Sequence, residues 1–429
     1  LLLRSRLEVL STAQGVLTLS SASQEKQAPI PRTVWILSWI SFFADVSSEI
    51  IYPILPFLAV GAIGMSRFQV GLVEGAAVLL VAIMSAVAGF HSDRSPSTAR
   101  LMWIRIGYGL PMIARVIIAL ATNGWVLAGG RLMDRFGKGL RGAPRDSLLA
   151  DCVESSQLGR AFGLHRALDT AGALSGVLLA AVLMMYFDLS KSTETPGTHT
   201  EWELRSIIWL GALLGGIAFA ITWRIPGSTT KGKDSVVPPQ ERDAASPLSR
   251  SYWRVLVVLM LFSLANSSDA FLLLRAADLG FSASGAVLLY AVYNAVYAAA
   301  SYPLGRLSDR INRRYLIGTG WSLYAVVYLL MGALSEQTRG WVWLTLALYG
   351  LSMACTEGIG KAMVADLVPK GSRGKALGIF YALTGLAQLI ASAMMGLIWD
   401  WIDPAASFYL AASLAFLATL ALPIARASR

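Results

Sequence analysis

Ser92-Asp93-Arg94 recurs as Ser308-Asp309-Arg310, 216 positions later. Ala150-Asp151 followed by Gly159-Arg160-Ala161-Phe162-Gly163 recurs as Ala365-Asp366 followed by Gly374-Lys375-Ala376-Leu377-Gly378, at an offset of 215. Ser47-Ser48-Glu49 has its counterpart in Ser267-Ser268-Asp269, at an offset of 220. Three matches that share one offset to within about five residues mark two homologous halves. A duplicated and very apolar chain is the pattern of a secondary transporter built from repeats, with its site at the interface between them.

Composition sets the solvent. With 55% hydrophobic and only 14% charged residues, and a mean hydropathy of +0.58 over 429 residues, the chain is far more apolar than a soluble globular protein. Apolar stretches of about 20 residues or more, the length that crosses a bilayer, recur near 34–60, 69–90, 101–121, 124–149, 160–187, 205–223, 252–274, 283–305, 315–334, 340–364, 375–399 and 406–425. In lipid every backbone polar group must be satisfied within its own segment, so these read as helices. The expected fold is an all-α membrane protein of twelve transmembrane helices in two pseudo-symmetric six-helix bundles. Residues 33–225 form one bundle and 251–425 the other. The Pro- and Ser-bearing stretch 226–250 joins them as a cytoplasmic linker, and 1–32 is a cytoplasmic N-terminal tail.

The net charge of +10 would suggest nucleic acid in a soluble protein, but here it is sorted by side. Loops on the side of the termini carry Arg94 and Arg100, the basic residues of the linker, Arg306 to Arg314, and Lys370, Arg373 and Lys375. The opposite loops hold little beyond Arg67, Lys191, Arg205, Arg275 and Arg339. By the positive-inside rule both termini are cytoplasmic, in a multi-pass protein of the cell's inner membrane, and no basic stripe is left for nucleic acid. The sequence has no phosphate-cradling glycine loop with Lys and Ser/Thr, no zinc spacing and no Gly-x-Ser-x-Gly elbow. No enzyme activity, cofactor or metal is expected, and Cys152 and Cys355 are too differently placed to pair.

Gly89-Phe90-His91-Ser92-Asp93-Arg94, between the second and third spans, resembles the first part of the loop motif of the major facilitator superfamily. Gly305-Arg306-Leu307-Ser308-Asp309-Arg310-Ile311-Asn312-Arg313-Arg314 is similar to its second-half copy. The fourth span offers Arg131-Leu132-Met133-Asp134-Arg135-Phe136-Gly137-Lys138-Gly139, similar to the family's fourth-helix arginine motif, with Arg135 in place of the usual Gly and Asp134 in place of the usual Gln. The resemblance runs from about 33 to 425. The stretch from Asp134 through Pro144-Arg145-Asp146 to Asp151 is similar to a prokaryotic subgroup of unassigned substrate. The resemblance implies a monomer that works by alternating access, with the first, fourth, seventh and tenth spans lining a central cavity. Two departures stand out. The family's basic cluster after Asp-Arg is replaced by Ser95-Pro96-Ser97-Thr98-Ala99-Arg100, and Gly172-Ala173-Leu174-Ser175-Gly176-Val177 in the fifth span has Val177 where the antiporter motif has Pro.

The loop motif also has a physical reading. Asp93 and Asp309 at helix ends can hydrogen-bond backbone N–H groups at the positive end of a helix from the other half, while Arg94 and Arg310 pair with acids such as Asp146 or Asp151. Such contacts gate the cytoplasmic mouth.

Charges inside spans carry more weight, because each costs roughly 2.5–3.5 kcal/mol on insertion scales and faces a cavity or a partner. Asp45 and Glu49, four apart, share one face of the first span. Arg131, Asp134, Arg135, Lys138, Arg141 and Arg145 follow 3–4 spacing down the fourth. The fifth adds His165 and Asp169, again four apart. Nearby carboxylates in low dielectric disfavour double ionisation, so Asp45 and Glu49 suit a proton carrier. Arg131 is the group that would answer to their protonation, and His165 with Asp169 could join the relay. A buried ion-pair network that only fixes helix packing is the structural alternative. Arg135, Lys138 and Arg141 would shape the substrate site from the N-terminal half, opposite Asp269 in the seventh span and Glu357 with Lys361 in the tenth.

The second half is more aromatic. Tyr290, Tyr293 and Asn294 lie on one face of the eighth span, and Tyr381 and Gln388 on one face of the eleventh, which suits an amphipathic organic ligand. The resemblance, together with these aromatic faces, implies proton-coupled efflux of a small amphipathic compound. Transport of an organic anion is the alternative favoured by the basic fourth span, and a transport-inactive sensor or scaffold is a third.

Overall fold

The computed structural model describes residues 29–92, 97–153, 158–187, 198–226, 248–308, 311–365, 367–368 and 373–425. Among them are helices and no strands, and a helix lies at each of the twelve apolar stretches. In chain order these are α1 (Arg32–Glu49), α2 (Arg67–Ser92), α3 (Ser97–Ala119), α4 (Gly124–Asp151), α5 (Leu158–Tyr186), α6 (Thr198–Ile221), α7 (Arg250–Ser263), α8 (Ala283–Ser308), α9 (Arg313–Ala333), α10 (Val342–Ala365), α11 (Arg373–Trp401) and α12 (Pro404–Ala421). Eight of them, α2, α3, α5, α6, α8, α9, α11 and α12, are long and apolar enough to cross a membrane. α1 and α7 are short because their spans break, and α4 carries the charged stripe.

Both breaks fall at the Ser-Ser-acid repeat. α1 stops at Glu49, and after a turn the span resumes as a short helix, Leu55–Phe57, and a π turn, Leu58–Ala62. Pro53 and Pro56 have no N–H to continue the ladder, and Pro56 sits in the first turn of the resumed helix, where its missing donor costs nothing. α7 stops at Ser263 and resumes at Ala270–Asp278. Between them Asn266, Ser267, Ser268 and Asp269 are residues whose side chains compete with the helical ladder. The freed backbone is satisfied from neighbouring helices. Tyr324 Oη donates to the carbonyl of Ala265 at 2.9 Å, and the N–H of Ser268 donates to Ser392 Oγ at 3.0 Å. Irregular backbone at membrane depth is tolerated only where it is buried or lines a cavity.

Each half is a bundle of its own. α1 packs on α5 and α6, and α3 on α4 and α6; in the other half α10 packs on α8 and α9, and α9 on α12. The second bundle is built around a fully buried aromatic core that includes Trp321, Tyr324, Tyr328 and Tyr349.

Among the described residues two extensive contacts join the halves, α2 with α11 and α5 with α8. These pairs are related by the internal repeat. The α2–α11 contact is close enough to need glycine: a Cβ on Gly71 would lie 2.1 Å from the carbonyl oxygen of Ser392, and one on Gly75 2.6 Å from Leu389 Cα. At its far end, away from the linker, Asp400 of α11 accepts from the N–H groups of Arg67 (3.2 Å) and Phe68 (2.9 Å), the first residues of α2. A carboxylate from one half thus caps the positive end of a helix of the other. Arg67 also approaches Asp278 at 3.8 Å. On the linker side, among the described residues, nothing of comparable extent brings α4 or α5 against α10 or α11. Among the described residues the halves are sealed opposite the linker and have no comparable contact beside it.

Charged caps are worth about 1 kcal/mol or somewhat more. Asp400→Ala is therefore expected to shift the equilibrium between this conformer and one open on the far side by roughly 5- to 30-fold. Spin labels at Thr122→Cys and Gln337→Cys, exposed far-side positions in opposite halves, would read this as a longer distance population. An unchanged distribution would make Asp400 a local cap with no part in sealing.

Candidate functional site

Between the halves lies a cavity of about 500 Å³. The broken helices line it: Glu49 and Tyr52 come from the first span, and Asn266, Ser267, Ser268 and Asp269 from the break in α7. Interrupted helices at matching positions of two repeats are where transporters of this architecture hold their ligands. α4 contributes Arg131, Arg135 and Lys138, α8 contributes Tyr290 and Tyr293, and α11 contributes Gln388 and Ser392.

The wall from the N-terminal half is ionic. Arg131 forms a fork with Glu74 of α2, Nε to Oε1 at 2.7 Å and Nη2 to Oε2 at 2.8 Å, with both side chains buried. Its guanidinium stands 5.2 Å from the centroid of the Tyr52 ring. Behind it Asp134 is shared by Arg115 of α3 (3.2 Å), Arg135 (3.3 Å) and Arg131 (3.8 Å). Arg115 also donates to Ser47, which in turn donates to the carbonyl of Gly211. These contacts tie α1, α2, α3, α4 and α6 through desolvated charges. A fork of this kind fixes orientation as well as energy.

The wall from the C-terminal half is aromatic. Tyr290 stands 5.3 Å from Tyr293 and 5.7 Å from Tyr52, ring centroid to centroid, and Tyr293 stands 4.9 Å from Tyr349. Tyr349 Oη donates to Asp269 at 2.6 Å. Tyr52 and Ser268 approach to 3.4 Å across the two breaks, so the aromatic wall is continuous from one half to the other.

A second polar cluster sits between α1, α4 and α5. Asp45 faces Arg141 at 3.8 Å and lies near Asp169. Asp169 accepts from Ser41 at 2.6 Å and lies 3.2 Å from Arg166 and 4.0 Å from Arg145. His165 is buried beside this cluster, yet neither ring nitrogen has a hydrogen-bond partner among the described residues. The expected His165–Asp169 relay contact is therefore absent from this conformer.

The structure thus divides the residues singled out from the sequence. Glu49, Arg131, Arg135, Lys138, Asp269, Tyr290, Tyr293 and Gln388 meet at the cavity. Arg141 does not: it turns to the α1 and α3 side, 4.4 Å from the centroid of Tyr108. Asn294 donates back to the carbonyl of Tyr290 in its own helix, and Tyr381 packs on Phe380 and the second bundle's core. Arg131 is held by Glu74 and, among the described residues, makes no ion pair with Asp45 or Glu49, the acids expected to face it. Asp146 pairs with Arg145 (2.9 Å) and Asp151 with Arg100, all within one half. Asp93, Arg94, Asp309, Arg310 and the side chain of Glu357 lie outside the described residues.

Glu74, Tyr52, Asn266, Ser267, Ser268 and Ser392 are cavity residues that the sequence reading missed. Glu74 had a signal, being the lone acid of an otherwise apolar α2.

The family model of the Major Facilitator Superfamily matches residues 37–275 and 255–428. The chain belongs to this superfamily. Among its superfamily relatives, an uncharacterized MFS-type transporter of Methanocaldococcus jannaschii is 29% identical over 406 residues, covering 93% of this chain and 96% of that one. The multidrug resistance protein MdtH of Cronobacter sakazakii is 22% identical over 345 residues, 79% of each chain. The crystal structure of the nucleoside transporter NupG superposes with a TM-score of 0.72 at 13% identity, covering 93% of this chain and all of that one, a likeness of fold alone. As a superfamily member the protein is a multi-pass membrane transporter for small molecules.

Proposed function

We propose that this protein is a proton-coupled secondary transporter that exports amphipathic organic compounds. The observation that carries the reading is the cavity itself: about 500 Å³, lined by both halves, aromatic on one wall and ionic on the other. An amphipathic solute lays its apolar body on Tyr52, Tyr290 and Tyr293 and its polar end toward α4. The multidrug-resistance name of the MdtH relative supports the same direction. Positive loops put the linker side in the cytoplasm, with both termini there, so this conformer admits substrate from inside.

For coupling, Asp45 and Glu49 remain the acids placed to carry the proton. Glu49 is on the cavity wall, and Asp45 stands one turn away, 3.8 Å from Arg141 and near Asp169. Proton entry and loss there changes the charge that faces Lys138 and Arg141, and so the balance between conformers.

One observation favours transport of an organic anion. Lys138 lines the cavity and has no carboxylate within 4.0 Å of its ammonium among the described residues, which leaves a cationic pole. Reconstitution into liposomes with an imposed proton gradient separates the two readings. Gradient-dependent accumulation of an amphipathic amine dye, competed by other amphipathic amines, is expected. Accumulation of organic acids alone would replace export of amphipathic compounds with anion transport.

A further inference from the structure

On the lipid-facing side of the N-terminal half, at the linker end, α1 and α6 frame a groove of about 550 Å³. Its walls are Trp35, Trp39 and Phe43 from α1 and Ile217 from α6, and Arg32 and Arg224 stand at its mouth. Trp35 and Trp39 are 43% and 42% exposed although large and apolar, so the described protein leaves one side of each uncovered. Arg32 opens α1 and Arg224 closes the turn that follows α6, which places both at one membrane boundary. Both are exposed, and neither makes an ion pair or a side-chain hydrogen bond among the described residues. Trp223 lies next to Arg224, with the guanidinium of Arg105 4.1 Å from its ring centroid, as in an interfacial aromatic belt.

We infer that this groove is a binding site for an anionic phospholipid. Two unpaired guanidinium groups offer donors in the geometry that matches phosphate oxygens. The helical steps from Arg32 to Phe43 span roughly 16 Å at the helical rise, about half the ~30 Å hydrocarbon core, so an acyl chain lies along the tryptophans while its phosphate stays at the arginines. A zwitterionic headgroup would bring its own cation against Arg32 and Arg224, which is the physical basis for preferring an anionic one.

The test uses the full chain, purified and delipidated in detergent, with dimyristoyl phosphatidylglycerol and dimyristoyl phosphatidylcholine as probes read by native mass spectrometry and by thermal shift. Phosphatidylglycerol is expected to bind more tightly and to raise the melting temperature. Each arginine is expected to contribute about fivefold, so Arg32→Gln with Arg224→Gln lowers phosphatidylglycerol affinity by roughly 25-fold and leaves phosphatidylcholine nearly unchanged. Arg32→Lys with Arg224→Lys keeps most of the preference. Trp39→Ala with Phe43→Ala weakens both lipids alike. An undiminished preference in the double Gln variant would overturn the site. So would an equal thermal shift from glycerol phosphate alone, which would mark a free-phosphate site instead.

Discussion

Glu74→Ala is expected to abolish transport and to destabilise the protein by about 3–5 kcal/mol, because it leaves Arg131 buried without the partner that neutralises it. The fork at 2.7 and 2.8 Å is desolvated on both sides, and the remaining acid near Arg131 is Asp134, already shared with Arg115 and Arg135. Thermal denaturation in detergent reads the stability loss, and uptake into proteoliposomes reads the function. A second variant separates structure from mechanism. Glu74→Leu with Arg131→Met replaces the pair by apolar side chains of similar volume, a change that is often neutral or stabilising for buried pairs. It is expected to restore the melting temperature while transport stays absent. Transport in that variant would reduce the pair to packing.

Glu74 bears on the conformational cycle through its position. It lies between Gly71 and Gly75, the residues whose missing side chains let α2 rest on the backbone of α11. The same turn of helix therefore holds the motif arginine of α4 and forms the contact that must open for the far side to admit solvent. A ligand or proton that changes how Arg131 is held changes α2, and α2 is half of the seal. The superfamily's alternating access needs such a two-state element, with each ligand favouring one of its arrangements.

What the sequence made legible follows from periodicity and from cost. Twelve apolar stretches and two halves were readable because lipid demands long apolar helices and because duplication leaves marks such as Ser92-Asp93-Arg94 and Ser308-Asp309-Arg310. The Ser47-Ser48-Glu49 and Ser267-Ser268-Asp269 match turned out to mark the helix breaks that build the cavity. The stripe on α4 was readable as one charged face but not as two. At about 100° per residue, Arg131, Arg135 and Lys138 cluster toward the cavity, while Asp134, Arg141 and Arg145 are turned by roughly 40–80° toward α1 and α3. Spacing along one helix says which residues share a face and nothing about which neighbour that face meets. Hence the sequence sets Arg131 against the acids of α1, whereas the helix beside it supplies Glu74, and it gives no sign of Asp169 beside Asp45. Asn294 and Tyr381 were placed by the same face rule; one bonds its own helix and the other turns to the core of its bundle.

Neutralising both acids of α1, Asp45→Asn with Glu49→Gln, is expected to abolish transport driven by a pH gradient while leaving substrate binding intact. The aromatic wall and Arg135 are untouched by the change, so the surface that takes the ligand persists. What goes is the pair of carboxylates proposed to carry the proton. In the proposed cycle, a proton at Asp45 removes the charge that attracts Arg141 at 3.8 Å. α1 and α4 then hold each other less firmly, and the other conformer gains. In the double variant that term is fixed, and binding is expected to be flat between about pH 5 and 8. Asp45→Asn alone distinguishes the two acids. If coupling runs through the Asp45–Asp169 contact, the single variant already loses gradient-driven uptake, whereas Glu49→Gln alone retains part of it. Concentrative uptake by the double variant with only a proton gradient imposed would remove both acids from the coupling step. The buried charges of α1, α4 and α5 would then be a packing network, and the proton, if one is used, would have to bind at Glu74 or Asp269.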